Sequence, residues 1–578
     1  MENKGRNQLK KLTSAIFPVA AALAVIWMML EMRPIDGMIG HDYSLLFFRM
    51  LISSADFWQN GWQVLHYTAA ACGGIGIFAD PQSMAYSLVQ FISFKYDPWI
   101  ATQITLNLFH IAGYWSFYRL AQKRFQLSSS ASHLGSLLFI LNGFTFAHLY
   151  VGHLTHHTYF LLPLVLDLIL RPYRERREQI GNMTFLVLIL SYLIYSGSLH
   201  MIAVFGCAIL LLIPHWILVR HREGQLKVGL LCMAVTLAVT LACAAAKIYA
   251  VSSYSPLFMI RGMDLSGENP WTILMRYFYF LPGQTPQTIP WGEYLFGAWE
   301  YVAFVSKLTI PLIGLFLWTQ LKSVDPIQRI VYSITAVLAI ELALLGTGWG
   351  GNEFLPFFRS YHNPIKLLAA FIPFICLFSA MGFSRLETYG LKYDRSFHSL
   401  LALFFIGVIG FETYTYTSYF TEKGVGLGYA YKPQLYYDAQ AHGRLPQIRS
   451  VVINNNDWDS LAAAATNWNC YEPLLGYKGE KKGRELRVGP VDTIFDGRFN
   501  LTHPGCLVYP DHFQCKRWDR IPAKQSEDFI NFTLGRKVSW GVPPTQQALI
   551  WLSLTVLGIT FGMWLFIHLV WLRRRFRK

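Results

Sequence analysis

The tetrapeptide "GHDY" places His41 and Asp42 directly after the first long apolar stretch of the chain. A carboxylate at such a boundary can take the proton of an attacking hydroxyl. It also suits the N-cap of a helix beginning at Tyr43, and the two roles are compatible. Further on, "HLYVGHLTHHTY" gathers four histidines around a short turn. His153, His156 and His157 are candidates for a divalent metal or for a phosphate, although their spacing matches no recognised zinc pattern. The candidate metal ligands are Asp42, His153 and His157; the alternative is interfacial histidines bonded to backbone or lipid headgroups. His200, after the tight turn "SGSL", belongs to the same face. Lys247 in "AAAKIYAVSSY" and Glu341 in "LAIELALLG" are charges in apolar surroundings, a placement that costs about 2.5–3.5 kcal/mol and marks functional candidates. Lys247 either pairs with a lipid phosphate or snorkels to the interface.

Other groups suit an anion or a sugar. Arg261 in "MIRGMD" suits an outer loop that contacts substrate, and Arg359, His362 and Lys366 in "FFRSYHNPIKLLAAF" offer positive charge near a helix N-terminus, where phosphate is favoured. "WGEYLFGAWEY" mixes Trp291 and Tyr301 with Glu293 and Glu300, as sugar-binding surfaces do, yet Trp and Tyr also form the membrane interface belt.

The elements that must hold these residues are membrane helices. The chain is 53% hydrophobic and 14% charged, whereas soluble domains carry about 25% charged residues. Apolar stretches long enough for a bilayer recur at 14–31, 99–120, 131–149, 158–170, 183–197, 200–219, 226–246, 303–319, 329–346, 364–383, 397–416 and 546–571. These predict an α-helical polytopic membrane protein of about twelve spans. The net charge of +15 is sorted by side: seven segments on one side, from "KGRNQLKK" to "RRRFRK", hold 24 of the 49 Lys and Arg residues, and the short opposite loops "YVGHLTHH" and "SGSL" hold none. That is the positive-inside pattern; it puts both termini in the cytoplasm and argues against a nucleic-acid partner. The first apolar run continues past "AAALA" to Leu30, which reads as a retained anchor rather than a cleaved signal.

Three regions break the helical rhythm outside the cytoplasm, at 32–98, 248–302 and 417–545. The division expected is a multi-span domain over 1–416, a small mixed α/β extracytoplasmic domain over 417–545, and a last span with a basic tail over 546–578. "RSVVINNND" predicts a strand followed by a turn. In the first loop, "DYSLLFFRMLISS" and "DPQSMAYSLVQFISF" read as helices lying in the interface plane. Cys506 and Cys515 are candidates for a small disulfide loop, with Cys470 as competitor, in an oxidising compartment. Cys207, Cys232, Cys243 and Cys376 read as apolar fillers.

An acidic residue just past the first span, two near-interfacial helices, a multi-span core and an external soluble domain together resemble the GT-C glycosyltransferases. "GHLTHHTYFLLPLVL" and "SYHNPIKLLAAF" look most like the bacterial YfhO-type branch. The resemblance implies a polyprenyl-phosphate-linked sugar donor and a glycan, lipid or protein acceptor. It implies Asp42 as the catalytic base and an active site on the extracytoplasmic face of a bacterial inner membrane. Many members carry a second acid in this loop; here the nearest, Asp36 and Asp56, are not adjacent. A divalent metal is therefore an open cofactor. The competing readings are a lipid-linked glycan or solute transporter, which should show repeated halves and broken helices, and a polysaccharide polymerase or ligase.

Overall fold

The computed structural model describes residues 2–172, 175–258, 269–279, 298–320, 326–347, 364–390, 395–422, 427–453, 456–468 and 486–576. Each stretch read as a span contains helix. Eight helices are long and apolar enough to cross a membrane: Ser129–Val151, Arg176–Tyr195, Met201–Arg222, Leu226–Leu257, Pro326–Gly346, Pro364–Thr388, Leu400–Glu422 and Pro544–Val570. Ile16–Glu31, Leu154–Leu170 and Thr309–Thr319 are apolar but shorter. Pro98–Arg124 is long, but Gln103, Asn107 and His110 dilute its apolar character. The chain is a helical membrane protein, and among the described residues eight helices meet the length and composition needed to cross a bilayer.

Several stretches that look continuous in sequence are broken. The helix Ser129–Ile140 stops, and Asn142 caps a new one, Gly143–Val151, by accepting from the Thr145 amide at 3.1 Å. The first two amides of that second helix donate to the carbonyls of Phe304 and Ala303, at 2.8 and 2.9 Å. Residues 302–306 are not helix, and the helix expected from 303 starts at Thr309. The extended residues are needed there because the amides of Ala303 and Phe304 bond in turn to the Tyr277 carbonyl, at 2.7 and 3.1 Å. Buried helix ends leave orphan polar groups, and this strip satisfies two of them at once. Two other spans begin as 3₁₀ helix, Leu154–Leu161 and Pro364–Phe371, before continuing as Leu162–Leu170 and Ile372–Gly390. Pro163 and Pro373 sit at the second α position; lacking an N–H, they cannot bond back across the junction.

The first loop is packed under the polar domain. The helix Tyr43–Asn60 is buried almost continuously from Tyr43 to Ala55, because the polar domain lies against it. Trp458 Nε1 donates to the Ser44 carbonyl at 2.9 Å, and the Tyr436 hydroxyl donates to that of Ser93 at 2.5 Å. The second expected helix shrinks to Leu88–Ser93, capped by Ser87, and Met84 is buried in the preceding turn.

The polar domain is small and mixed α/β. Its strand Leu427–Ala430 pairs antiparallel with Met38–Gly40, just before Asp42. The predicted strand is present as Ser450–Val452, the centre of a three-stranded sheet with Ala465–Asn467 and Gly489–Pro490. A second sheet joins Ile494–Phe495, Arg498–Thr502 and Arg520–Pro522. Cys506 and Cys515 form a disulfide, and Cys72 is also disulfide-bonded; Cys470 lies outside the described residues. Cys207, Cys232, Cys243 and Cys376 are free and buried, as apolar fillers should be.

At the far end of Leu154–Leu170 from its histidines, the buried Asp167 carboxylate collects Arg124 at 2.7 Å, Arg171 at 2.9 Å and Arg119 at 3.2 Å. Residues from two of the basic segments meet there.

Candidate active site

The position of Asp42 is set by a helix end. Gly152, at φ +103°, closes Gly143–Val151: its amide bonds to the Leu149 carbonyl at 3.2 Å, and the His153 amide bonds to that of His148 at 2.8 Å. This double closure is the Schellman pattern, which requires a left-handed residue that glycine adopts without penalty. It also brings the side chains of His148 and His153 together. Their Nδ1 atoms are 2.7 Å apart.

The segment carrying Asp42 is clamped to the same helix end. The Asp42 amide donates to the Val151 carbonyl at 3.0 Å, and the Tyr43 hydroxyl donates to that of Leu149 at 2.6 Å. A β-carbon on Gly152 would lie 2.3 Å from the Tyr43 nitrogen, so the two backbones are as close as glycine allows. Although Asp42 occupies the N-cap position of Tyr43–Asn60, its side chain makes no capping bond. The carboxylate is turned to the histidines instead: Oδ2 is 2.5 Å from His153 Nε2 and Oδ1 is 3.3 Å from His41 Nε2.

The cluster continues inward. His153 Nδ1 lies 3.6 Å from Glu300 Oε1, and Glu300 Oε2 accepts from Lys366 Nζ at 2.7 Å. Glu300 comes from the short 3₁₀ turn Ala298–Tyr301, and Lys366 from the 3₁₀ start of Pro364–Phe371. His156 joins through its ring, which stacks 4.3 Å from that of His148 and lies 4.7 Å from that of His200. The side chains of Asp42 and His153 each keep 14% exposure, and His41 keeps 31%. A ligand can reach that side of the cluster.

The residues singled out in the sequence therefore separate. Asp42, His41, His153, His156, Glu300 and Lys366 come together. His157 turns away from the cluster: its Nδ1 meets the Leu154 carbonyl at 2.8 Å and its Nε2 meets the Tyr192 hydroxyl at 2.9 Å, so both ring nitrogens are engaged. Lys247 is a structural cation; its ammonium donates to the carbonyls of Phe78 and Asp80, at 2.8 and 2.7 Å, rather than to a lipid. Glu300 is ion-paired in the cluster, and Tyr301 is buried, so neither is an open sugar-binding face. Glu341 lies on an exposed face of Pro326–Gly346. Arg261, Trp291, Glu293, Arg359 and His362 lie outside the described residues. Sequence reasoning missed His148 and Trp299, whose ring lies 5.0 Å from that of His41.

Comparison with models of known protein families, with curated proteins and with solved structures finds no match.

Proposed function

We propose that the chain is a membrane glycosyltransferase of GT-C type. It moves a sugar from a polyprenyl-phosphate carrier to an acceptor hydroxyl on the extracytoplasmic side. The observation that carries this reading is the orientation of Asp42: the carboxylate stands at a cap position, makes no capping bond, and faces a partly open cluster of histidines. The acceptor oxygen attacks the anomeric carbon, its proton passes to Asp42, and the bond to phosphate breaks with its electron pair leaving on the lipid phosphate. In-line attack inverts the anomeric carbon. The leaving phosphate needs no acid, so one carboxylate suffices where a glycosidase uses two. His153 and His41 hold the base in place, and Lys366, paired with Glu300 beyond His153, adds a cation to the cluster.

Orientation in the membrane is supported by charge. The arginines around Asp167 and the histidine cluster lie at opposite ends of one apolar segment, as the positive-inside rule requires if the cluster is external. A second reading has its own support: broken helices at the cluster are also a feature of transporters.

Purified protein reconstituted with a panel of polyprenyl-phosphate hexoses and soluble glycan acceptors separates the two. The transferase reading expects acceptor-dependent release of polyprenyl phosphate and a product of inverted anomeric configuration. Movement of the intact lipid between leaflets without any release would select the transporter instead.

A further inference from the structure

We infer that the arginines gathered on Asp167, at the end of Leu154–Leu170 away from the histidines, form a site for the phosphate headgroup of one anionic phospholipid. Three observations carry this, and none depends on the transferase reading.

The first is charge. Arg119, Arg124 and Arg171 share the fully buried Asp167 carboxylate, at 3.2, 2.7 and 2.9 Å. Among the described residues it is the only carboxylate that pairs with any of the three. Three guanidiniums on one carboxylate leave two positive charges in excess. Arg124 and Arg171 keep only 13% and 16% exposure, so water screens them poorly. Arg220 adds nothing to the balance, because Glu223 pairs with it at 2.8 Å. Arginines that only anchor a helix end reach outward singly; these converge and call for an anion.

The second is hydrogen bonding. Arg171 is satisfied: Nε and Nη2 donate to Asp167, and Nη1 donates to Asn182. Arg124 gives Asp167 only its Nε, and Arg119 also approaches through Nε. Among the described residues, the terminal nitrogens of Arg119 and Arg124 donate to no protein group. A guanidinium presents such nitrogens as a planar fork that matches phosphate. The two forks stand on the two oxygens of one carboxylate, Arg124 on Oδ1 and Arg119 on Oδ2, within the span of a single headgroup.

The third is the surface that leads to them. On Pro98–Arg124 the exposed positions recur as Ile104, Leu108, Ile111, Trp115 and Arg119, the spacing of one helix face. Ile111 and Trp115 are 56% and 51% exposed, as is suited to acyl chains. From Leu108 to Arg119 the helix rises about 16 Å, close to the depth of one hydrocarbon leaflet, about 15 Å. Trp115 falls where interfacial aromatics sit, and the exposed Lys123 continues the stripe one turn beyond Arg119. A lipid lying on this stripe brings its phosphate to the two forks. A free phosphate ion would have no use for the apolar part, so the occupant is a lipid.

The test uses the full-length chain, delipidated in detergent and titrated with phosphatidylglycerol or with phosphatidylcholine of the same acyl chains, bound lipid being counted by native mass spectrometry. One phosphatidylglycerol per chain should be held at least tenfold more tightly than phosphatidylcholine, and millimolar inorganic phosphate should not displace it. Arg119→Gln should weaken that binding about fivefold, the worth of one basic residue beside an anionic lipid. Lys227→Gln, in another basic segment, should leave it unchanged. The comparison of lipids on the unmutated chain needs no variant to fold, and Arg119, at 51% exposure, can be replaced while Asp167 keeps its two closer partners. Equal retention of the two lipids, displacement by inorganic phosphate, or unchanged binding in the folded Arg119→Gln chain overturns the inference.

Discussion

Gly152→Ala tests how tightly Asp42 is positioned. The alanine must hold φ near +103°, where an L-residue pays about 1–2 kcal/mol. Its β-carbon would also stand 2.3 Å from the Tyr43 nitrogen and 2.9 Å from the Asp42 carbonyl carbon. Ordinary contact begins at 3.4 Å, so the segment bearing Asp42 must retreat by about 1 Å, and overpacking adds about 1–3 kcal/mol. A misplacement of about 1 Å at a reacting group costs about 10²-fold in rate. Gly224→Ala is the control, because Gly224 has φ +67° but open space around it. The assay is initial-rate transfer in liposomes, read beside thermal unfolding in the same lipid. Gly152→Ala should lose about 10²-fold in kcat/KM and unfold earlier; Gly224→Ala should lose only stability. If both variants keep full turnover, the close backbone approach does not position the base, and the reasoning fails.

Three further outcomes follow from the fold. Asp167→Asn should destabilise the membrane core by about 3–5 kcal/mol, read as an earlier melt in detergent, because Arg124 and Arg171 are left facing each other without their counter-charge. Replacing both Cys506 and Cys515 by alanine should cost the polar domain about 2–3 kcal/mol through the nine-residue separation that they close, measured by denaturant unfolding. His503 is buried beside Trp540, and burial pushes its imidazole down to about 4, against about 6.5 when unfolded. The folded domain then binds fewer protons than the unfolded chain. Its stability should be complete above about pH 6.5, fall as pH drops toward 4 by up to about 3 kcal/mol, and level off below; His503→Phe should flatten that profile.

Asp42 and His153 were legible in the sequence because both are polar residues in turns that interrupt apolar runs. The partner of His153 was harder to see. His148 lies in a helix that is apolar on every side, and only the glycine between the two histidines signals that the chain folds back and joins them. The choice of His156 over His157 depends on local pitch. In a 3₁₀ helix of three residues per turn, 153 and 156 share a face while 157 is rotated away, and nothing but Pro163 marks that tighter winding. Lys366 and Glu300 come from segments far apart in sequence, so their pairing is a tertiary event. The pairing of Met38–Gly40 with Leu427–Ala430 is longer in range still. It explains why Tyr43–Asn60, whose apolar breadth suggested a membrane surface, is covered by the polar domain instead. Hydropathy likewise does not reveal that Asn142 starts a second helix, or that 302–306 must stay extended to receive it.

The central claim is that the Asp42 carboxylate acts as a base and not as a cap. Asn keeps the shape of the side chain and its capacity to cap, but it cannot take a proton. Asp42→Asn in the reconstituted transfer assay should therefore lose about 10²–10⁴-fold in turnover while its melting temperature stays with that of the unmutated protein. Full turnover in Asp42→Asn, with the same lipid donor and acceptor, would contradict the account.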